Sequence, residues 1–441
     1  MGIILTHRDS TCALRGWWLA AVVLLAAAAA SAQDSLRSSL AGDAAAEAQR
    51  QQQQSPQLYT WKAGDFRLLA VPSLELDYND NVNLAKNDAQ SDFILRPLLQ
   101  LTGTYPVSQQ SLLRFSAGVG YDEYLEHSQY SAVRLIADSL LSFDIYIKDV
   151  WIDLHDRFSS IEDPGAEAAV AGTARYGTIN NTAGLSTTWD LEALVLTLGY
   201  DHQNSLATSG QFSYLNRSSE LPLARAGFQF SPQLTAGVEG SASFTTYDQD
   251  VLNDNQSYSA GLYADWKPSS YLHVQPRAGY AIYQFQHTSQ SISPFYFGVP
   301  RAAESIQTAD LDSWYADLTV SHQVNNAVTY SFSGGHEIRL GIESDVIEDS
   351  YLRPNITWTI LKDLSLNTSL FYEHGVQGAG NVSGNLSETY DWYGGALTLG
   401  YSLMKKLRVN LNYRLTLRSS NIPTLEYAQN VVGIMLTYQP Q

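Results

Sequence analysis

The sequence predicts an all-β fold, a transmembrane antiparallel up-and-down β-barrel of about 18 strands, although about 16 strands would also fit the pattern. Three observations predict it. Polar and apolar residues alternate with a period of two from Phe66 to Tyr438, and the connections between these segments are short and long in turn. The charged fraction is only 16%, against about 25% in soluble globular proteins, which suits a wall with one apolar face.

Residues 1–32 are predicted to be a cleaved signal peptide. Arg8 and Arg15 precede the apolar run from Trp17 to Ala30, and Ala30-Ser31-Ala32 supplies the small residues of a cleavage site. The alternative is a single N-terminal membrane anchor. The apolar run is shorter than the roughly 20 residues that a spanning helix needs, so the signal peptide is favoured.

Residues 33–63 are predicted to be a flexible periplasmic leader, followed by the barrel over residues 64–441. The leader is rich in Ala, Ser and Gln, including Gln51 to Gln54, and it lacks the apolar side chains to fold alone. Cys12 is the only cysteine of the chain and precedes the predicted cleavage site. We therefore expect no disulfide, cysteine–zinc site or cysteine nucleophile in the mature protein.

The alternation divides each segment into an apolar and a polar face, because successive side chains of a strand point to opposite sides. The clearest segment alternates Leu407, Val409, Leu411, Tyr413, Leu415 and Leu417 with Arg408, Asn410, Asn412, Arg414, Thr416 and Arg418. Most segments exceed the usual soluble strand of about 5–6 residues and reach the 9–11 residues of a membrane-spanning strand. Lipid cannot satisfy an open sheet edge, so the sheet should close on itself.

The predicted strands cover residues 66–78, 91–104, 111–125, 131–147, 150–160, 178–190, 193–207, 218–230, 234–248, 255–267, 271–287, 312–325, 328–340, 350–361, 364–376, 389–404, 407–420 and 430–440. The number is even, so the N- and C-termini should lie on the same side, which is the periplasmic side if the leader is periplasmic. Aromatic residues near the strand ends suit the girdles of a membrane barrel: Tyr78, Tyr121, Tyr200, Trp266, Trp358, Tyr372 and Tyr438.

The connections between the predicted strands fall into two classes. The short ones are at 106–110, 148–149, 191–192, 231–233, 267–270, 325–326, 362–363 and 405–406. The long ones are at 79–90, 162–176, 208–217, 248–254, 288–311, 341–349, 377–388 and 420–429. Outer-membrane barrels have short periplasmic turns and longer outside loops, as this pattern predicts.

The last predicted strand ends in Gly433-Ile434-Met435-Leu436-Thr437-Tyr438. With Gly433, Leu436 and Tyr438 at its key positions, it resembles the C-terminal assembly signal of bacterial outer-membrane proteins. Three residues follow the aromatic residue here, whereas the signal normally ends on or near it. The resemblance implies that the barrel-assembly machinery of a Gram-negative cell is a partner.

The first predicted hairpin carries a second resemblance. The segment Val71-Pro72-Ser73-Leu74-Glu75-Leu76-Asp77-Tyr78-Asn79-Asp80-Asn81-Val82, followed by Ser91-Asp92-Phe93-Ile94-Leu95-Arg96-Pro97, resembles the opening hairpin of the putative outer-membrane β-barrel porins of type two. The resemblance implies a pore that is associated with exopolysaccharide export. At the level of motifs it covers this hairpin alone.

The polar face of the predicted strands should line the lumen. Its candidate pore-lining residues are Arg96, Arg114, Arg134, Asp138, Asp144, Asp153, Arg157, Arg225, Glu239, Asp265, Arg277, Asp317, Arg353, Glu373, Arg408, Arg414 and Arg418. A barrel of this size is too wide for side chains to fill, so we expect passive passage of small hydrophilic solutes, including glycans, with charge setting selectivity. The alternative is that most of these charges brace the wall.

The longest connection, Thr288 to Leu311, is the candidate for a constriction. It contains an apolar and aromatic cluster that includes Phe295, Tyr296 and Phe297. Folded inward, this loop would narrow the pore and stack against sugar rings. Folded outward, it would cover the rim or contact a neighbour, since long loops are often either functional or mobile.

Other classes of function remain as alternatives. A surface receptor or adhesin would act through acidic loops such as 341–349. A hydrolase would need a site such as Asp153, His155 and Arg157, which share one face, but the sequence has no Gly-x-Ser-x-Gly motif and no histidine pair at metal-ligand spacing. The net charge of -18 argues against nucleic acid, and no cofactor is expected. Outer-membrane lipid is the expected surrounding, and no pattern indicates an oligomeric state.

Overall fold

The computed structural model describes residues 59–135, 139–161, 163–286, 310–342, 344–378 and 387–438, and the pairs 291–292, 295–296, 299–300 and 304–305. Residues 1–58, which hold the predicted signal peptide and most of the predicted leader, lie outside this part of the chain. No helix among the described residues is long and apolar enough to cross a membrane.

The chain forms an 18-strand antiparallel barrel, as predicted. The strands are β1 (Phe66–Asn79), β2 (Asp92–Ser108), β3 (Ser111–Tyr124), β4 (Ala132–Leu135 and Ser139–Ile147), β5 (Val150–Ile161), β6 (Thr178–Asp190), β7 (Leu194–Ala207), β8 (Arg217–Ser231), β9 (Leu234–Tyr247), β10 (Asn255–Ser269), β11 (Leu272–Phe285), β12 (Leu311–Gln323), β13 (Val328–Leu340), β14 (Val346–Leu361), β15 (Leu364–Gln377), β16 (Glu388–Met404), β17 (Leu407–Ser420) and β18 (Tyr427–Tyr438).

The barrel closes where β1 pairs with β18, over the partners Ser73↔Thr437 to Asn79↔Val431. Every other strand pairs antiparallel with its neighbours in the sequence. At Gly433 a Cβ atom would lie 1.9 Å from the Asp77 carboxylate, so only glycine lets that side chain lie across the seam. Leu436 and Tyr438 point outward and are exposed.

The two ends of the barrel differ as predicted. Short turns join the strands at the end that we call the turn end, where both β1 begins and β18 ends. At the turn between β4 and β5, Lys148 adopts a positive φ of 53°, which a tight hairpin turn requires. The longer connections lie at the opposite end, the loop end. The connection at 125–131 also lies there, where the predicted strands 111–125 and 131–147 leave a gap.

Two of the predicted long connections are shorter than expected. The prediction of a loop over 341–349 is wrong for its last part, because β14 begins at Val346, which pairs with Leu340 of β13. In the same way β18 begins at Tyr427, which pairs with Arg418, and not at residue 430. The polar residues in both stretches belong to strand ends that leave the membrane level, where alternation no longer distinguishes strand from loop.

The outer face of the barrel is apolar. Large exposed apolar side chains recur at every second position of the strands, and they include Leu262 of β10 and all seven of the aromatic residues predicted to form girdles. Tyr78 and Tyr121 lie toward the loop end, Tyr200 and Tyr372 lie near the middle of their strands, and Trp266, Trp358 and Tyr438 lie near the turn end. Aromatic residues toward both ends of an apolar surface are typical of a barrel embedded in a bilayer.

A three-residue strand, Trp61–Ala63, precedes the barrel and pairs with the start of β1, from Trp61↔Leu68 to Ala63↔Phe66. These residues fall within the predicted leader. They cover part of the β1 edge that β18 leaves unpaired, since β18 reaches only to Ser73. The ring of Trp61 contacts that of Phe66 at 5.9 Å, so the leader joins the barrel at the seam.

An arginine placed on the outer face should lower the free energy of unfolding more, the closer it lies to the centre of the bilayer. Leu262→Arg, at the middle of β10 and 65% exposed to the lipid side, should lower the free energy of unfolding by about 2–4 kcal/mol. Met404→Arg, at the turn end of β16 and 70% exposed, is the matched control and should cost about 0–1 kcal/mol. Denaturant unfolding in lipid bilayers measures both values, and equal costs would contradict the assignment of the outer face to lipid.

Candidate functional site

The lumen is the candidate site because the inner face of the wall is polar. On β6 to β9 the inward side chains form a hydrogen-bonded lattice. Ser205 Oγ donates to Asn180 Oδ1 at 2.6 Å, and the hydroxyls of Ser219 and Thr245 lie 2.8 Å apart. These four side chains are buried, so the hydrogen bonds between them join neighbouring strands on the inner face.

Six of the predicted arginines lie on every third strand around the wall, on β2, β5, β8, β11, β14 and β17: Arg96, Arg157, Arg225, Arg277, Arg353 and Arg414. Each guanidinium faces a carboxylate from another part of the wall or from a loop. Arg225 binds Glu239 at 3.0 Å, Arg277 binds Asp317 at 3.2 Å and Arg353 binds Glu373 at 3.0 Å. The side chains keep 15–28% of their surface exposed, although both terminal nitrogens of Arg157 are buried.

The other predicted residues are also held by polar partners. Arg96 binds Asp77 and lies 3.3 Å from Asp122, which Arg134 approaches at 3.8 Å. Three further groups complete the set: Arg114 with Asp144; Asp265 with Lys267 and His273; and Arg408 with Ser365 and Asn410. Asp138 lies outside the described residues.

His155 lies between two carboxylates on the inner face. Its Nδ1 atom is 3.1 Å from Asp153 and its Nε2 atom is 3.0 Å from Asp201. Arg157 lies 3.9 Å from Asp153 and 4.0 Å from Asp201. A general base needs a free ring nitrogen directed at substrate, and both nitrogens of His155 already have partners, so this group links β5 to β7.

The long connection between β5 and β6 enters the lumen. We call residues 163–171 the lumen segment. Ala169 and Val170 in it are fully buried, although they lie in a connection between strands. Arg418 Nε donates to the Ala168 carbonyl at 2.8 Å, and Arg339 Nη1 lies 3.1 Å from the Glu167 carboxylate. The segment therefore crosses from β5 to the wall formed by β13 and β17.

Asp163 fixes the start of the lumen segment. Its carboxylate accepts hydrogen bonds from the Gly165 backbone N–H at 3.0 Å and from the Arg414 guanidinium at 2.6 Å. Burial alone raises the pKa of Asp163, but the positive charges of Arg414 and Arg96 outweigh it and lower the pKa to about 2. The carboxylate thus stays ionised at physiological pH, and its contact with Arg414 persists.

The lumen segment packs on an apolar cluster that other loops supply. Leu84, Phe212, Leu252 and Leu425 each come from a different long connection, and all are buried in contact with the same cluster. The Gly172 N–H donates to the Leu84 carbonyl at 2.9 Å. The long connections at the loop end therefore form one small core inside the barrel mouth.

Arg418 and Glu388 support this core from the wall. Their side chains are fully buried and lie 2.7 Å apart. Arg418 also donates to the Leu425 carbonyl at 2.8 Å, and its guanidinium lies 4.7 Å from the centre of the Tyr390 ring. Breaking such a buried pair would leave an uncompensated charge, so this arginine anchors loops and does not face solute.

Sequence reasoning missed Arg339, which binds Glu167, Asp349 and Glu373 at 2.7–3.1 Å. It also missed the lumen segment, whose signal was present: Pro164 and the run Ala168 to Ala171 are small and apolar, and such residues are unusual in an exposed loop. The aromatic cluster at 288–311 was the more visible feature, but it did not point to the inward connection.

The predicted constriction loop is only partly described. Phe295 and Tyr296 form a short strand that pairs with Val299–Pro300, and Ser291–Ile292 pairs with Glu304–Ser305. Phe297 and the rest of the loop lie outside the described residues. Inward folding of this loop stays a prediction.

No family model matches the sequence, and no curated protein matches it. Among solved structures, the chain is similar to OccK5 (OpdH) of Pseudomonas aeruginosa, with a TM-score of 0.45 and 10% identity, over 85% of this chain and 98% of that one. It is also similar to a BenF-like porin from Pseudomonas fluorescens Pf-5, with a TM-score of 0.46 and 10% identity, over 84% and 98% of the two chains. Likenesses at this level assign neither a family nor a solute.

The contact between Asp163 and Arg414 should stabilise the folded protein at neutral pH, and this contribution should be lost in acid. The folded-state pKa of about 2 lies below the unfolded value of about 3.9, so the contribution is complete above about pH 5 and is lost as the pH falls toward 2. The stability difference between wild type and Asp163→Asn should therefore be constant from pH 8 to pH 5 and shrink below pH 4. Denaturant unfolding across this range measures it, with Asp190→Asn at an exposed turn as control. A difference that vanishes by pH 6 would contradict the assignment.

Proposed function

We propose that the chain is an outer-membrane channel for passive passage of small hydrophilic solutes, with its turn end and both termini in the periplasm. The observation that carries the proposal is the contrast between the two faces of one closed wall. The outer face presents apolar and aromatic side chains, and the inner face presents arginines, carboxylates and hydroxyls. A barrel of about 16–18 strands leaves an aqueous channel, and here the lumen segment narrows it.

The ring of arginines supports a role in selecting solutes. Each of these arginines lies near a carboxylate and keeps part of its side chain exposed. Because each arginine is paired with a carboxylate, the ring is close to neutral. Neutralising one partner of a pair would leave the charge of the other partner unbalanced. We infer that the ring offers hydrogen-bond donors to polar solutes, while the balance of pairs sets ion selectivity.

The finer features rest on resemblance. The opening hairpin, β1 and β2, pairs from Arg67↔Thr104 to Asn79↔Asp92. Its likeness to the type-two porin hairpin supports a proposal that the solutes include glycans of an exopolysaccharide system. Similarly, Gly433, Leu436 and Tyr438 support recognition by the barrel-assembly machinery. Liposome swelling with oligosaccharides of increasing length tests the glycan proposal, and exclusion of all of them would overturn it.

An enzyme is the less favoured class. The lumen holds one histidine between two carboxylates, and both of its nitrogens are occupied. Among the described residues no group of histidine, cysteine and acidic side chains could hold a metal ion. A channel accounts for the inner polar face without a reaction.

Single substitutions in the pair of Arg225 and Glu239 should shift ion selectivity in opposite directions. Glu239→Gln leaves the guanidinium unbalanced and should make the channel more anion-selective, whereas Arg225→Gln should make it more cation-selective, because charges near the pathway set permeability. The measurement is the reversal potential of the refolded protein in planar bilayers under a salt gradient. Glu220→Gln, on the outer face, is the control and should not change it. If both lumen variants behave as wild type, these charges brace the wall and do not select.

A further inference from the structure

The wall is interrupted between β12 and β13 near the loop end. Their pairing stops at Ala316↔His336. Above that point β12 continues to pair with β11 as far as Tyr283↔Leu311, and β13 continues to pair with β14 as far as Leu340↔Val346. Two strand edges, Leu311 to Tyr315 and Glu337 to Leu340, therefore diverge from one another.

The diverging end of β13 and β14 lies inside the wall. We call it the flap, residues 337–342 and 344–349. Ile338 and Val346 belong by alternation to the outward face of their strands, yet they are buried against Tyr283 and Phe285, which belong to the inward face of β11. The Tyr283 hydroxyl donates to the Ile338 carbonyl at 3.1 Å. The outward face of the flap thus covers the inner face of β11.

A contact with β12 shows the same overlap. The inward hydroxyl of Ser313 donates to the outward carboxylate of Glu348 at 3.1 Å. Below it, the rings of Trp314 and His336 still stack on the outer surface, with centroids 4.1 Å apart. The flap therefore leaves the cylinder just above His336 and passes behind β12.

Polar contacts join the flap to the loop end of the lumen, beside its pairing with β15 and its apolar packing. Asn253 donates from its backbone and side chain to Asp345 at 2.7 and 2.8 Å, and the Tyr214 hydroxyl donates to the Ile342 carbonyl at 3.0 Å. The salt bridge from Arg339 to Glu167 joins the flap to the lumen segment. A displacement of the flap would therefore also loosen the lumen segment, so that both would obstruct the lumen less.

The flap has a second position that the register defines. Continuing the β12–β13 pairing beyond Ala316↔His336 would place Trp314 opposite Ile338 and Asp312 opposite Leu340. Ile338 and Leu340 would then face the lipid, while Arg339 would still face the lumen. Ile338 and Leu340 would move from contact with protein to contact with lipid hydrocarbon. The backbone groups of β12 and β13 would gain hydrogen bonds to each other, each of which contributes a modest net amount to stability. Zipping would also uncover Tyr283 and Phe285, which the flap buries in the tucked position, so the tucked position is the favoured one.

We propose that the flap is a gate, which closes the channel mouth in the tucked position seen here and opens it by zipping onto the edge of β12. The inference rests on the proposed channel function. Opening pairs the edge of β12 that the tucked position leaves unpaired, so the wall becomes continuous while the lumen widens. Lipid favours this change, because it cannot satisfy an open sheet edge.

Two cysteine pairs, each in a Cys12→Ser background, trap the two positions. Ser313→Cys with Glu348→Cys should bridge in the tucked position and hold low conductance. Trp314→Cys with Ile338→Cys should bridge only in the zipped position, and the bridge should hold high conductance. The two residues would be directly opposed there, and such residues have Cβ atoms about 4.5–5.5 Å apart, close to disulfide range. Leu318→Cys with Gly334→Cys, already partners in β12 and β13, is the matched control and should bridge without changing conductance.

The readouts are bridge formation on gels and single-channel conductance before and after reduction. If the pair at Trp314 and Ile338 never bridges under oxidation while the control pair does, the gate is wrong even though the protein conducts. If the zipped pair bridges and no variant conducts, the channel function itself fails. A bridge at Trp314 and Ile338 that leaves conductance unchanged would also overturn the gate.

A hydrogen-bond variant tests the gate without cysteines. Tyr283→Phe removes the hydroxyl that holds Ile338 in the tucked position, and it should raise the ratio of open to closed dwell time about fivefold, as expected for one net hydrogen bond. Tyr258→Phe, which removes a hydroxyl bonded to Gln256 on the outer face, is the control and should leave the ratio unchanged. Equal behaviour of the two variants would contradict the proposal.

Discussion

The closure of the backbone into one cylinder is the constraint on which the rest of the structure depends. The pairing of β1 with β18 closes the seam of the sheet, which lipid requires. A cylinder of this size encloses more space than wall side chains can fill. The remaining space must hold water or chain, and the long connections supply the chain. The lumen segment and the flap are thus consequences of barrel size, and they are where the pathway is narrowed.

Charge pairing follows from the same geometry. Inward positions exclude lipid, so they can hold arginine, but a guanidinium and a carboxylate under a folded loop lose their water. Arg418 with Glu388 illustrates the buried extreme, and Arg225 with Glu239 the partly open one. The first kind of pair anchors loops, and the second kind faces the pathway. Removing one partner should therefore destabilise the first kind and change selectivity at the second.

The sequence predicted the wall well because alternation and turn length report directly on strand geometry. It placed Arg225, Glu239, Arg277 and Asp317 on the inner face, where the structure also has them. It did not predict the path of the connections. Val170 in the lumen segment and Ile338 in the flap are buried by contacts with distant parts of the chain, and no local period records such contacts. The small residues at 164–171, which lie in the lumen, were a weaker local signal than the aromatic residues at 288–311.

The most direct test of this account compares single-channel conductance in planar bilayers between the wild type and a variant in which residues 164–171 are replaced by a short Gly-Ser turn. The account predicts a clear increase in conductance, because the replaced residues occupy the pathway and their wall partners stay in place. A variant that shortens 288–309 by the same length is the comparison. Unchanged conductance in the first variant would contradict the claim that the pathway runs through the lumen and is narrowed by this segment.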